Sequence, residues 1–380
     1  MNNRKQYSHG TRRDIIYILH CAGILTYRGI RVLPEEKYNK RTVQRKIHEM
    51  VDEGVLGKQK PAIEDVQQQF FYMRNYESNC KEITVAVSKE CVDFYRDYFK
   101  EGIRSLWSIK SSQTYRKIME SDLITFIYAA GIDAMPDQRN GESKFFSSRE
   151  VKRYTGYKDE VKETEGERKV QFSKVFGLIL SSGGNYGVYH TYKSGLSKLS
   201  GGEYKILAQL GKIVRQMNGE REEITSALVV VNDLDSLIGN IDIENLNTKY
   251  ALNYYNFTSA YKSIYALPYT KEGRDMLTLM TKRGWRQRLI EAATGEMQDT
   301  SYVNYVCDHY DKESKVGTLV FCIPDIVRLK KFLEIAKLQN DRKKFRIICF
   351  DYQKEFVKKV IGHNAQIYTT SFEEYYKGEK

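Results

Sequence analysis

Residues 39–60 read NKRTVQRKIHEMVDEGVLGKQK, and their apolar positions fall at Val43, Ile47, Met50 and Val51. That spacing places all of them on one face of a helix. Arg41, Gln44, Arg45 and His48 fall on the opposite face. Asn39 is placed to cap the helix start, and Gly54 to end it in a left-handed conformation. One face anchors the helix while the other presents long hydrogen-bond donors. A recognition helix in a major groove needs this division. The plainer reading is a surface helix with a solvated basic face.

The neighbouring pattern extends the first reading. Residues 11–21 (TRRDIIYILHC) form a second amphipathic candidate, with Ile15, Ile16, Ile18 and Leu19 on its apolar side and Gly23 as its stop. Residues 26–32 are a short third helix candidate. Strand candidates follow at 69–74 and at 82–87, where Ile83, Val85 and Val87 alternate with Glu82, Thr84 and Ala86. Helix, short helix, basic helix and strands is the order of a winged helix-turn-helix, and an unrelated helical bundle is its rival. Residues 56–70 would form a long wing carrying Lys58 and Lys60. The pattern predicts a winged-helix domain over 1–102 that closes with a helix at 88–99 and folds alone. A helical linker region follows over 103–170. It holds a hinge at 103–114, a helix at 115–131 and a charged stretch at 158–169 (KDEVKETEGERK).

From residue 171 to 380 the pattern becomes α/β. Residues 175–180 are a strand or short helix candidate, 186–191, 224–231 and 264–267 are strand candidates, and 203–217 reads as a helix. The clearest alternation lies at the end. Strand candidates at 317–323, 345–350 and 366–368 enclose helix candidates at 325–338 and 353–361. This order implies parallel pairing with right-handed crossovers. The expected fold class is α+β, an N-terminal winged helix-turn-helix followed by an α/β domain.

Composition narrows the partners. The 380 residues carry a formal net charge of +12, which suits a polyanion. No apolar run approaches the ~20 residues that a membrane span requires, so no membrane partner is expected. The six cysteines are scattered without a C-x-x-C pair. They suggest neither zinc nor a disulfide framework, and a reducing cytoplasm is the simplest compartment. The histidines do not cluster.

Three constellations invite an enzymatic reading. Residues 199–203 (LSGGE) resemble the signature peptide of ABC ATPases, but the chain lacks the phosphate-cradling loop that such a peptide needs. Asp233 and Asp235 follow a strand candidate, where two carboxylates can share a magnesium ion. They equally suit the start of a helix. Glu203 with Lys205 is an E-x-K pair of the kind used by restriction-like nucleases, yet the nearby strand candidate supplies His190 rather than an acid. No complete catalytic or metal site emerges, and no cofactor is expected.

The segments TRRDIIYILHCAGIL, RTVQRKIHEMVDEGVL, FFSSREVKRYTG, GGNYGVYHTY and FRIICFDYQKEFVKKVIG together resemble the replication-relaxation family. These are winged-helix proteins of plasmids and integrative elements in Gram-positive bacteria. The resemblance implies binding to element DNA in support of replication, relaxation or its control. It also implies a restriction-endonuclease-type fold for the C-terminal region, whose acidic-plus-lysine site is incomplete here.

The leading expectation is a double-stranded DNA-binding protein of a mobile element. Arg41, Gln44, Arg45 and His48 would face bases or phosphates, and Arg12, Arg13, Lys58 and Lys60 would contact phosphates. Its partners would be duplex DNA, a replication initiator or relaxase, and a second copy of the chain. The alternatives are a metal-dependent nuclease or nicking accessory using Asp233, Asp235 and Glu203, and a winged-helix transcriptional regulator or antitoxin.

Overall fold

The computed structural model describes residues 10–59, 70–73, 111–134, 141–148, 151, 175–191, 210–211, 214, 224–238 and 261–379. It is a mixed α and β protein whose chain divides into two compact units, residues 1–145 and 146–380. The strand candidate at 82–87, the helix candidate at 88–99, the charged stretch at 158–169 and most of the helix candidate at 203–217 lie outside the described residues.

The first unit begins with α1 (Thr11–Ala22), β1 (Leu25–Thr26), α2 (Tyr27–Val32) and α3 (Lys40–Asp52), followed by β2 (Leu56–Gln59) and β3 (Phe70–Met73). The three strands form one sheet in the order β1-β3-β2, with both pairings antiparallel. Ile15, Ile18, Leu19, Ile30, Val43, Ile47, Met50, Leu56 and Phe71 are all buried between helices and sheet. Ile15, Ile18, Leu19, Val43, Ile47 and Met50 are positions that the helical spacing selects, since a 3.6-residue period returns them to one side of their helix; Ile16, expected on that side, is half-buried.

One long helix, α4 (Ser111–Ala129), belongs to this unit and packs on α1, α2 and β1. This helix falls in the span read as a helical linker region, yet it packs with the elements of the first unit. Leu123, Phe126 and Ile127 of α4 are fully buried. Polar contacts fix its position. The Ser121 hydroxyl donates to the Ala22 carbonyl. The Thr26 hydroxyl donates to Asp122 Oδ1 at 2.5 Å while accepting from the Gly29 amide at 2.8 Å, so a single oxygen caps α2 and holds α4. The Tyr38 hydroxyl donates to Asp14 Oδ2 at 2.9 Å and lies 3.2 Å from that of Tyr128.

The second unit holds two sheets. After β4 (Lys144–Ser147), at which the chain passes into this unit, come β5 (Gly177–Ser181), β6 (Gly184–Thr191), β7 (Ser226–Val231) and β8 (Ser263–Pro268). They are ordered β4-β5-β6-β7-β8; β5 and β6 form a hairpin, and β6, β7 and β8 run parallel. The unbroken apolar run in β7 reflects its central place, with both faces covered. Next come α5 (Lys271–Met280), α6 (Trp285–Thr294), β9 (His309–Asp311), β10 (Val316–Val320), α7 (Ile326–Gln339), β11 (Phe345–Phe350), α8 (Lys354–Ile361), β12 (Gln366–Thr370) and α9 (Phe372–Glu379). The second sheet runs β12-β11-β10-β9, with β10, β11 and β12 parallel as the alternation predicts. Residues of both sheets, among them Val229, Ile264, Leu319 and Ile347, share one core with Phe332 of α7. The Ala266 amide donates to the Pro324 carbonyl at 2.9 Å. Asp325 then caps α7 through the Val327 and Arg328 amides at 3.0 and 3.3 Å.

Two outcomes follow from the placement of α4. Fully burying three large side chains stabilises by roughly 1.5–3 kcal/mol each, which is comparable to the stability of a whole domain. A fragment of residues 1–145 should therefore unfold cooperatively in urea, and a fragment of 1–102 should show no cooperative transition. A cooperative 1–102 fragment would remove α4 from the folding unit. The second outcome concerns Asp122. Burial raises its carboxyl from the ordinary 3.8 to about 6, against the opposing effects of the Thr26 hydrogen bond and Arg28. Between those two values the unfolded chain has released a proton that the folded chain keeps. This contribution to stability is thus full below about pH 4 and is lost as pH rises through about 6. Asn at this position still accepts from Thr26 but cannot titrate. Relative to wild type, Asp122→Asn should gain on the order of 2 kcal/mol between pH 4 and 6.5 in urea unfolding; an equal difference at both pH values would contradict the assignment.

Candidate nucleic-acid interface

Helix α3 forms as its sequence dictates. The Asn39 side chain accepts from the Thr42 amide at 3.2 Å, capping the first turn. Gly54 sits at φ 75°, a conformation that costs glycine little, and lets the Val55 amide return to the Met50 carbonyl at 2.9 Å. Val43, Ile47 and Met50 are buried, and Val51 is half-buried. Arg41, Gln44, Arg45 and His48 are all exposed. They follow one another at intervals of three, one and three residues, and so form a single row along the helix. Asp52, also exposed, follows the row with the opposite sign.

The buried edge of α3 is fixed by an ion cluster that periodicity does not reveal. Arg12 of α1 is 7% exposed. Its guanidinium donates to both carboxylate oxygens of Glu53 at 2.9 and 2.8 Å and to Glu49 at 2.9 Å. Lys46 also donates to Glu49, at 2.8 Å. The hydrogen bonds from Lys46 and Arg12 hold the Glu49 carboxyl down at about 2. Arg45 lies 3.7 Å from the same glutamate with 68% of its side chain exposed, leaving its head in solvent. Arg12 therefore joins α1 to α3 and is not placed to contact a phosphate, in contrast to the sequence expectation. Its partners are 37 and 41 residues away, so no local spacing signals them.

The remaining expected contacts divide. Arg13 is exposed in the first turn of α1. Lys58 is exposed on β2, in register with Phe71 of β3. Lys60 lies outside the described residues. The His48 ring meets Phe71 edge-on at 6.2 Å, linking the helix row to the sheet. Other cations nearby turn to acids: Lys40 bonds Glu35 at 2.6 Å, and Lys37 lies 3.5 Å from Asp14. Arg31, which periodicity did not single out, is exposed in the last turn of α2.

The acidic candidates of the second unit are engaged structurally. Asp233 caps the 3-10 turn Leu234–Leu237 by accepting from the Ser236 amide at 2.9 Å. Asp235 pairs with Lys359 of α8. Glu203 lies outside the described residues. His190 is buried on β6, edge-on to Tyr269 at 6.0 Å. Among the described residues, no group of three His, Cys, Asp or Glu side chains is placed to hold a metal ion, and no helix is long and apolar enough to cross a membrane. Comparison with known protein families, curated proteins and solved structures returns no match.

The cluster predicts different behaviour for two adjacent arginines. Arg12→Ala removes three charge-assisted hydrogen bonds at the α1–α3 seam while Glu49 keeps Lys46, and should destabilise the first unit by roughly 1–3 kcal/mol. Arg13→Ala should stay within about 0.5 kcal/mol of wild type. Denaturant midpoints of both variants check the pair, and an unaffected Arg12→Ala protein would show the cluster to be incidental.

Proposed function

We infer that the chain binds double-stranded DNA and that α3 is its reading element. One observation carries the proposal: Arg41, Gln44, Arg45 and His48 form an exposed row on a helix whose opposite face is buried. An α-helix with its side chains is about 10–12 Å across, and the major groove is about 12 Å wide. The order α1-β1-α2-α3-β2-β3 with the sheet order β1-β3-β2 supports a winged helix-turn-helix. In that arrangement β2 and β3 form the wing, and Lys58 stands beside the groove. Gln44 has the donor and acceptor that adenine requires, and Arg45 the paired donors that suit guanine. Arg41, Arg13 and Lys58 supply charge to the backbone.

The proposal keeps the mobile-element role that the family resemblance implies, with a replication initiator or relaxase as protein partner, a second copy for symmetric half-sites and the cytoplasm as compartment. The resemblance rests on sequence segments alone. The restriction-endonuclease-type fold and the nuclease role gain no support from the described acids, since Asp233 caps a turn and Asp235 is ion-paired.

The test is duplex binding by the full chain, followed by fluorescence anisotropy over a range of salt. Arg41→Ala/Arg45→Ala should weaken binding and flatten the log–log salt dependence by about one for each lost phosphate contact. Gln44→Ala should instead reduce discrimination at one base pair by roughly 1–3 kcal/mol. Unchanged affinity and slope in the double-arginine variant would eliminate α3 as the reader.

A further inference from the structure

The corner between α5 and α6 reads TKRGWRQR over residues 281–288 and places Lys282, Arg283, Arg286 and Arg288 within seven residues. Its frame is rigid. The turn between β5 and β6 is fastened beneath it: the Gly183 amide donates to the Thr281 carbonyl at 2.9 Å, and the Trp285 indole donates to the Gly183 carbonyl at 3.2 Å. A Cβ on Gly183 would lie 2.0 Å from the Met280 carbonyl oxygen, so only glycine permits this approach. Trp285 is buried, edge-on to Tyr265 at 5.4 Å. The Tyr186 hydroxyl donates to the Met280 carbonyl at 3.2 Å, tying β6 to the end of α5.

The cations are presented from that frame in defined positions. Arg283 is exposed, and its own carbonyl accepts from Arg288 Nη1 at 2.7 Å. Arg286 is half-buried and donates to the Tyr265 hydroxyl at 3.3 Å. Among the described residues, neither Arg283 nor Arg286 has a carboxylate within ion-pair distance. On the Tyr265 side the buried Asp325 caps α7 through Oδ1 and acts on Arg286 through charge, and Arg328 pairs with Asp308 at 2.6 Å. Burial raises the Asp325 carboxyl above its ordinary value, opposed by hydrogen bonds and by Arg328 and Arg286. The corner thus carries two guanidinium groups on a fixed backbone, Arg286 also held by Tyr265, and a guanidinium is suited to charge-assisted bonds to an anion.

The geometry points to a second phosphate-contacting surface, formed by Arg283 and Arg286 in the second unit, that grips the backbone of duplex DNA without reading its sequence. The choice of DNA as the anion rests on the function inferred above; the anion-binding character rests on the corner itself. Arg283 and Arg286 would meet phosphate oxygens, which carry no sequence information, so their contribution is to affinity rather than to specificity.

The test uses the full chain and a labelled duplex of arbitrary sequence, titrated at several salt concentrations. Arg283→Ala should bind several-fold more weakly at low salt and lower the salt slope by about one, and Arg283→Ala/Arg286→Ala should lower it by about two. Arg283→Ala should leave the thermal midpoint unchanged, which separates lost contact from lost fold. Unaltered affinity and slope in both variants would overturn the assignment. So would a loss confined to single-stranded RNA with duplex binding intact. If Arg41→Ala/Arg45→Ala has no effect while the corner variants weaken duplex binding, the corner stands and α3 falls as the reader. The reverse result removes the corner alone.

Discussion

The orientation of α3 depends on one buried guanidinium. The apolar stripe of that helix, Val43, Ile47 and Met50, is buried and sets which face turns inward. Arg12 adds a polar constraint at its edge. It is nearly buried and must be paired, because an unpaired guanidinium loses its hydration without compensation. Its partners are Glu49 on α3 and Glu53 at the cap that ends it, about one turn apart, so both bonds together favour one rotation of the helix. The same cluster sorts the charges of α3. Glu49 and Glu53 are drawn toward α1, with Lys46 beside them, and the outward row keeps Arg41 and Arg45.

A second constraint sets where the first unit ends. Thr26 caps α2, and its hydroxyl also meets Asp122, so the start of α2 and the middle of α4 are positioned by the same atom. Buried polar contacts of this kind contribute modestly to stability when satisfied and cost more when broken. Their stronger effect is on uniqueness: α4 cannot slide along α1 and α2 without leaving Asp122 and the Ala22 carbonyl unpaired. The apolar surface of α4 supplies the burial, and these contacts set its register.

The elements that could be read in the sequence are those whose periodicity records a single buried face. Helix α3, its Asn39 and Gly54 ends, and the alternating strands and helices after residue 316 appear where the pattern places them, within a few residues. Helix α4 was itself legible, but its membership in the first unit was not. Residues 120–127 are all buried although they include Glu120, Ser121, Asp122 and Thr125, so polarity along the helix does not mark its solvent side or what it packs against. Arg12 was misread for a related reason. A basic residue beside a helix start looks the same whether it faces solvent or an acid some 40 residues away, and only the fold brings the two together. Asp233 shows the opposite case, since a helix or turn start was its plainer reading and its capping bond is local. The basic corner at 281–288 was present in the sequence but unremarked, because its meaning depends on the glycine turn that holds it.

On the DNA-binding reading, these placements divide affinity from specificity. Phosphate contacts add to the release of counterions and make binding steeply salt-dependent, but they carry no sequence information. Base contacts require a side chain with the correct donors held at a fixed depth in the groove, which is a demand on helix orientation. Arg12 meets that demand for α3 without touching the ligand. Arg283 and Arg286 need only a stable frame and positive charge, and the corner over Gly183 provides both. A cation that fixes the reader and cations that hold the backbone are thus different residues in different surroundings. Burial distinguishes them: Arg12 is enclosed between acids, whereas Arg283 is exposed with no described acid to neutralise it.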